Sequence, residues 1–180
     1  EQIMPVNRKY PLKELVAAPT QTFITTHSVA AIKAANGASI WYLSGDRKIG
    51  KLADATTPHM MKDPEAFLSR MAIIAEGATE VGFVNFLLMK TVARAPLEYG
   101  IWVTDGGGND TTLNLLESLV KSGLKFSGFA DDEGRAPQRW ATLKETLGDL
   151  LLRWPKGCLE ENVIEHIADG LSNKRFFRAA

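Results

Sequence analysis

Cysteine is nearly absent from the sequence, and the net charge is zero. Cys158 is the single cysteine, which excludes an intrachain disulfide and a zinc site built from cysteines and fits the reducing cytoplasm. The 21 basic side chains equal the 21 acidic ones, whereas a generally basic nucleic-acid binder carries excess positive charge that releases counterions. The composition therefore predicts a cytoplasmic protein in which any nucleic-acid role depends on local charge or on metal ions.

Two further patterns are missing. No run approaches the roughly 20 apolar residues that span a membrane, and the phosphate-binding pattern G-x-x-x-x-G-K-[ST] occurs nowhere in the chain. Apolar residues nevertheless make up 45% of the sequence, which is enough to build a core. We therefore expect a folded domain with no membrane partner, and no ATP binding through a loop of that kind within these residues.

The charges divide the chain into two unlike parts. Residues 1–60 carry seven basic and four acidic side chains, and residues 61–180 carry fourteen and seventeen. Between them, residues 54–69 contain two prolines and small polar residues without clear periodicity, which is typical of a connection. The sequence thus predicts a first segment at 1–53, a linker at 54–69 and a second segment at 70–170.

The first segment predicts too few elements to complete a sheet. The expected elements are a helix at 12–18, a Thr-rich strand at 21–25, a helix from Val29 to Ala35 between the cap Ser28 and Gly37, and a strand at 39–43 followed by a Gly45-Asp46 turn. Two strands joined by one helix cannot bury both faces of a sheet. We therefore expect the edge of a larger α/β domain.

The second segment alternates strands and helices. Strands are expected at 71–75, 101–104, 126–130 and 150–154, and helices at 80–93, 111–122, 137–147 and 160–168. The residues expected to face the sheet are Phe83, Phe86 and Leu87 in the first helix and Leu113, Leu116 and Val120 in the second. This alternation predicts a central parallel sheet with right-handed crossovers, flanked by helices.

Acidic residues follow three of the expected strands. Glu76 follows the first, with Glu80 four residues later, Asp105 ends the second before three glycines, and the third leads into an acidic loop containing Asp131, Asp132 and Glu133. Because ligands of open parallel sheets bind beyond the carboxyl ends of the strands, these carboxylates are expected at one edge. Their mutual repulsion would be relieved by a hard divalent cation with oxygen ligands, Mg²⁺ or Mn²⁺.

Other interpretations stay open for single residues. An isolated acid after a strand is more often a cap or a solvated loop residue, and Glu160 and Glu161 are equally ordinary helix-start acids or further metal ligands. The glycines after Asp105 also resemble a dinucleotide-binding loop with Asp131 as its ribose acid, but the third glycine is missing and Glu76 stays unexplained. Cys158 is typical of a small buried residue rather than a nucleophile.

Three motifs of the second segment resemble the Toprim fold, a Rossmann-like fold shared by topoisomerases, primases and several nucleases. They are Glu76-Gly77, Asp105-Gly106-Gly107 and Asp131-x-Glu133. The segments AEGATE at 75–80 and FADDEGR at 129–135 are similar to the OLD (overcoming lysogenization defect) family of nucleases, and GCLEENVI at 157–164 is similar to its class 2 members. The third motif reads D-x-E where D-x-D is usual, a change that OLD proteins tolerate.

The first segment resembles the other half of that family. The segment TFITTHS at 22–28 is similar to the strand of ABC-type ATPases whose histidine, here His27, approaches the nucleotide γ-phosphate. OLD proteins place such an ATPase before the Toprim domain. The resemblance implies that residues 1–53 are the end of an ATPase domain and 171–180 the start of a C-terminal helical region. It also implies a longer protein that uses ATP, forms a homodimer through the ATPase region, has a helicase partner and acts in phage defence.

The resemblance also implies the chemistry, which is two-metal hydrolysis of DNA phosphodiester bonds by a Mg²⁺- or Mn²⁺-dependent endonuclease. The core ligands or base would be Glu76, Glu80, Asp131 and Glu133, the further ligands Asp105, Glu160 and Glu161, and the phosphate contacts Lys125, Arg135 and Arg139, for which solvated surface charge is an equally good account. The catalytic lysine of the family has no match in this chain. Two other functions stay open, a primase- or topoisomerase-like Toprim enzyme and a regulatory module that binds DNA without cutting it.

Overall fold

The computed structural model describes residues 21–35, 37–43, 47–92, 94–124 and 126–172. The helix expected at 12–18, the turn expected at Gly45-Asp46 and the basic residue Lys125 lie outside these ranges. Among the described residues, no helix combines the length and the apolar character that a bilayer crossing would require.

The first segment forms a helix and a hairpin. Helix α1 (Val29–Ala34) begins as expected at Ser28, whose Oγ accepts a hydrogen bond from the Ala31 N–H at 3.4 Å. Strands β1 (Trp41–Leu43) and β2 (Ile49–Lys51) pair antiparallel. The strand predicted at 21–25 is wrong, because those residues are described without regular structure and Phe23 is 80% exposed. Its Thr-rich, aromatic composition favours a strand only where a neighbouring strand accepts the backbone hydrogen bonds.

The segment predicted as an irregular linker is helical. It consists of a 3-10 turn (Asp54–Thr56), helix α2 (Thr57–Lys62) and helix α3 (Pro64–Leu68). Both prolines, which indicated a connection, lie in first turns of these helices, where a missing N–H costs no helical hydrogen bond. Ala66 is 1% exposed and belongs to the main core, so this segment packs against the second segment rather than spanning open space.

Four parallel strands form the central sheet. They are β3 (Met71–Ala75), β4 (Ile101–Asp105), β5 (Ser127–Ala130) and β6 (Leu151–Arg153), in the spatial order β4-β3-β5-β6. The predicted parallel α/β sheet is thus confirmed. Strand β3 lies inside the sheet, and Ala75 at its carboxyl end is in register with Asp105 on one side and Phe129 on the other.

Helices cover both faces of this sheet. They are α4 (Ala78–Thr91), α5 (Asn109–Lys121), α6 (Pro137–Leu147) and α7 (Leu159–Ser172). The larger core joins α5 and α6 to one face and includes Ile74, Leu113, Leu116, Trp140, Leu143 and Leu151. The smaller core joins α4 and α7 to the other face through Val84, Phe129 and Leu159. The inner face predicted for α5 is confirmed, with Leu113 and Leu116 buried and Val120 packed against them.

Of the three residues predicted to face the sheet from helix α4, only Phe83 does so, packing against Phe129 in the smaller core. Phe86 and Leu87 are 52% and 42% exposed, whereas the buried residues of the helix are Glu80 and Val84. The expected orientation was wrong because apolar residues occur all round this helix, so their spacing does not select one face. The consequence is functional, since the same rotation buries the carboxylate of Glu80.

Candidate active site at the carboxyl edge of the sheet

Three acidic residues meet where β3, β4 and β5 end. Glu76 follows β3, Asp105 is the last residue of β4, and Asp131 follows β5. Backbone hydrogen bonds join the three loops, since Gly106 N donates to Ala75 O at 2.8 Å and Glu76 N donates to Phe129 O at 3.0 Å. The sheet order therefore brings together the strand ends on which the sequence prediction depended.

Glu76 is buried and held in one orientation. Glu76 is 8% exposed. Its Oε2 accepts hydrogen bonds from Asn109 Nδ2 and from the Asp131 N–H, both at 3.0 Å. Asn109 Oδ1 in turn accepts from Trp140 Nε1 at 3.2 Å. Burial raises the pKa of Glu76, while the hydrogen bonds from Asp131 and Asn109 partly oppose that rise. Glu133 and Glu80 add to it by charge repulsion.

Asn109 and Trp140 are site residues that the sequence did not single out. The available signal was a polar residue at the first position of a helix after a glycine loop, which is equally common in helices without any function. The partners of the Asn109 amide depend on how α5 and α6 pack against the sheet. The sequence pattern of either helix alone does not specify that packing.

Asp131 carries an incomplete set of contacts. The residue is 6% exposed, and its Oδ1 has no hydrogen-bond partner among the described residues. Burial raises the pKa of Asp131 to about 6, and the backbone N–H of Leu159 at the start of α7 lowers it in part. The charges of Glu80, Glu76 and Glu160 raise it further. An unpaired buried carboxylate oxygen is costly, so this one is suited to a bound cation or donor.

Glu80 completes a group of three that we call the inner acids, Glu76, Glu80 and Asp131. Glu80 lies in the first turn of α4 and is 7% exposed. A Cβ atom on Gly77 would lie 3.1 Å from Glu80 Oε2, so glycine there leaves room for the carboxylate. Across the described ranges, no Lys, Arg or His nitrogen lies within 4.0 Å of an inner-acid carboxylate. Within those ranges, no cation pairs with their charges.

Three acids around them each form an ion pair with a basic side chain. Lys62 Nζ lies 3.9 Å from Asp105 Oδ2, Arg135 Nε lies 3.3 Å from Glu133 Oε2, and Arg153 Nη2 lies 2.8 Å from Asp132 Oδ1. We call these three residues, Asp105, Asp132 and Glu133, the outer acids. The edge therefore has a paired rim around an unpaired, buried centre.

Two further acids predicted as ligands lie at the start of α7. Glu160 and Glu161 are exposed. Glu161 Oε2 accepts from the Cys158 N–H at 3.4 Å, which is a capping contact, whereas Glu160 is close enough to raise the pKa of Asp131. Cys158 is a free, half-buried cysteine. Of this pair, Glu160 is the one that takes part in the electrostatics of the inner acids.

The glycine loop after β4 is a tight turn against the core. A Cβ atom on Gly106 would collide with Thr112 Oγ1 and lie 3.0 Å from Ile74. Asp105 Oδ1 accepts from the Gly107 N–H at 2.8 Å, and Gly107 has a φ of 84°. This geometry brings α5, and with it Asn109, close to Glu76.

The basic residues predicted to contact phosphate lie in different surroundings. Arg139 on α6 donates to both carboxylate oxygens of Glu117 at 3.0 and 2.7 Å and to Asn114 Oδ1 at 2.6 Å, so it joins α6 to α5. Arg135 lies at the edge, between Glu133 and Asp110, which is 3.9 Å away. His27, the predicted nucleotide contact, is exposed just before α1.

The inner acids have the donor chemistry of a divalent-cation site. Carboxylate oxygens are the ligands preferred by Mg²⁺ and Mn²⁺, and the unpartnered Asp131 Oδ1 is one that is ready to bind. Within the part of the chain that the structure describes, no three His, Cys, Asp or Glu side chains are arranged around one common ion position. Donor chemistry, burial and charge, and not an assembled ligand geometry, are therefore what suit these residues to such an ion.

No protein-family model matches the chain, and no curated protein matches it significantly.

Proposed function

We propose that this protein is a Mg²⁺- or Mn²⁺-dependent DNA endonuclease with a Toprim-type site, as in the OLD nucleases that its motifs resemble. The observation that carries the proposal is the group of inner acids, three buried carboxylates at the carboxyl edge of a parallel sheet that pair with no cation of the described residues. Such an arrangement costs folding stability and is typical of a functional site. Two of the three motifs that resemble Toprim proteins contain an inner acid, Glu76 or Asp131, and the third contains Asp105 at the same edge.

The proposed ligands are the inner acids together with Glu133, with Asp105, Glu160 and Glu161 near them. Bound metal ions would supply an activated water, stabilisation of the leaving oxygen and positive charge at the site. Asp131 is suited to a central ligand, because its Oδ1 has no other partner in the described residues. Positive charge from the metal would let an acidic edge accept an anionic DNA backbone.

The chain itself supplies orientation. Asn109 and the Asp131 N–H fix Glu76 Oε2 and leave its other oxygen available. Asp131 directly follows β5, and the backbone N–H of Leu159 at the start of α7 donates a hydrogen bond to its carboxylate. Positioning of this kind matters because phosphodiester chemistry depends on ligands held in register with the reacting phosphate.

The resemblance extends the proposal to a larger protein. We propose that the chain acts on DNA in the cytoplasm, and that in a longer protein cleavage is coupled to an ATPase that dimerises and works with a helicase. His27 would then belong to the nucleotide side of that protein and the inner acids to the DNA side.

A plasmid-nicking assay with Mg²⁺, Mn²⁺ or Ca²⁺ tests the endonuclease. We expect nicking with Mg²⁺ or Mn²⁺ that is lost in Glu76→Gln and Asp131→Asn but kept in the control Glu145→Gln, since Glu145 is an exposed acid on α6. Metal-dependent nicking that survives both inner-acid changes would refute the site. Metal binding without cleavage by the unaltered chain would instead support a regulatory module that binds DNA.

A further inference from the structure

The segment that the sequence predicted as a linker is fixed along the edge strand β4. His59 Nε2 lies 3.2 Å from Thr104 Oγ1, and Trp102 Nε1 donates to Asp63 Oδ2 at 3.0 Å. Burial lowers the pKa of His59, so its imidazole is neutral near pH 7 and can share a hydrogen bond with the hydroxyl. These two contacts hold the end of α2 against the carboxyl half of β4.

Lys62 lies between these two anchors in sequence and is therefore placed at the carboxyl edge. Its Nζ is 3.9 Å from Asp105 Oδ2, and the two side chains are 61% and 42% exposed. Exposed ion pairs at this distance contribute little to stability. The ammonium group can therefore exchange Asp105 for a stronger anion at little cost.

The other cations of the edge are held more firmly. Arg153 is 17% exposed and donates to Asp132 Oδ1 at 2.8 Å and to Asp131 O at 3.0 Å. Arg135 lies between two acids. Among the described residues, Lys62 forms an ion pair with Asp105 alone, at the longest separation of the three outer pairs, and its side chain reaches solvent.

We propose that Lys62 binds a phosphate oxygen of the DNA strand where that strand passes over the end of β4. The inference rests on the proposed endonuclease and names a contact that its motifs do not contain. A compact, mobile ammonium group suits a phosphate oxygen as a point charge. Asp105 then holds Lys62 at the edge until the phosphate replaces it, so the DNA enters on the β4 side of the inner acids.

Binding of a fluorescent DNA duplex, followed by anisotropy in Ca²⁺ over a series of KCl concentrations, tests this contact. We expect Lys62→Gln to weaken binding severalfold and to lower the slope of log affinity against log salt concentration by about one unit, the share of one phosphate. Lys62→Arg should restore both. The matched control is Lys51→Gln, because Lys51 on β2 forms a similar exposed pair with Asp54 at 3.5 Å.

The outcomes separate this contact from the endonuclease itself. Equal affinity and slope for Lys62→Gln and the unaltered chain would overturn the contact, and equal losses in Lys51→Gln would reduce it to general surface charge. If cleavage depends on Asp131 while Lys62→Gln binds DNA with unchanged affinity and slope, the endonuclease is supported and the Lys62 contact is refuted. Lys62-dependent binding without metal-dependent cleavage would keep the contact and refute the endonuclease, and absence of DNA binding would refute both. Thermal melting of each variant checks that it folds.

Discussion

The inner and outer acids lie within a few residues of one another but have opposite surroundings. Asp131 is buried with an oxygen that has no partner among the described residues, whereas its neighbour Asp132 accepts a hydrogen bond from Arg153 Nη2 at 2.8 Å. The outer acids are what a protein surface ordinarily contains, since each exposed charge has a counter-charge nearby. The inner acids lower stability as they stand, which proteins tolerate mainly where function requires it. Burial without a described counter-charge therefore distinguishes Asp131 from its neighbour Asp132 better than acidity does.

The largest difference in nicking rate is expected between substitutions of the neighbouring residues Asp131 and Asp132. We expect Asp131→Asn to lower the nicking rate by on the order of 100-fold or more, the scale of a lost catalytic carboxylate. Asp132→Asn should retain most of the rate, because its carboxylate is committed to Arg153. Initial rates of plasmid nicking under saturating Mn²⁺ measure both. Equal losses in the two variants would erase the distinction between inner and outer acids.

The second effect concerns the orientation of Glu76. Asn109→Ala removes a hydrogen bond to a buried carboxylate and leaves Trp140 Nε1 without its acceptor. We expect a loss of about 1–3 kcal/mol in the free energy of unfolding, measured by urea denaturation, together with slower nicking. Asn114→Ala is the matched control, because its amide meets Arg139 in an exposed contact. A comparable loss of stability in the control would contradict a special role for the buried amide.

The third effect is a dependence of stability on pH. Burial raises the pKa of Asp131 from 3.8 to about 6, so between these values the folded protein binds a proton that the unfolded chain does not. The contribution of Asp131 to the free energy of unfolding therefore falls as pH rises from about 4 to about 6, and it stays low above that. Urea denaturation across this range should show a weaker fall in Asp131→Asn, and Asp131→Asn should melt at a higher temperature than the unaltered chain at pH 7.

Added divalent cation provides an independent check of the same effect. Mn²⁺ binding to the inner acids stabilises only the folded state, so it should raise the melting temperature of the unaltered chain at pH 7. It should leave Asp131→Asn nearly unchanged. If the free energy of unfolding of Asp131→Asn falls with pH as much as that of the unaltered chain, groups other than Asp131 cause the fall.

The smallest effect is expected on the rim. Arg135→Gln breaks exposed pairs with Glu133 and Asp110, whose side chains are 43% and 65% exposed. Such pairs contribute about 0–1 kcal/mol, so the melting temperature should change little. A large destabilisation would show that the rim is a structural network and would weaken the contrast with the inner acids.

The sequence predicted the sheet well because the relevant signals are local. Apolar runs at 71–75 and 101–105 are followed by acidic and glycine residues, and strands of this kind end where such residues begin. Helix α6 begins at Pro137 as predicted, since proline is favoured in a first turn. The position of the acids at the carboxyl edge then follows from parallel topology alone.

The remaining features depend on tertiary packing. The prolines at 58 and 64 indicate a loop or a helix start equally well, and burial of Ala66 against the sheet decides for helix. Strand β3 has neighbours on both sides, which no property of its own five residues requires. Asn109 and Lys62 reach the site only through the placement of α5 and α2. Contacts of this kind join distant parts of the chain, and single-sequence patterns do not contain them.

The interior position of β3 has a consequence for how the protein folds. Its two partners lie about 30 and about 54 residues further along the chain, so the sheet edge forms only after long loops have closed, which slows folding. Glu76 and Glu80 are four residues apart in sequence, whereas Asp131 lies 51 residues beyond Glu80 and approaches them only as these strands dock. Electrostatic repulsion thus opposes the last stage of sheet assembly, at the same place where the finished protein has its unpaired charge.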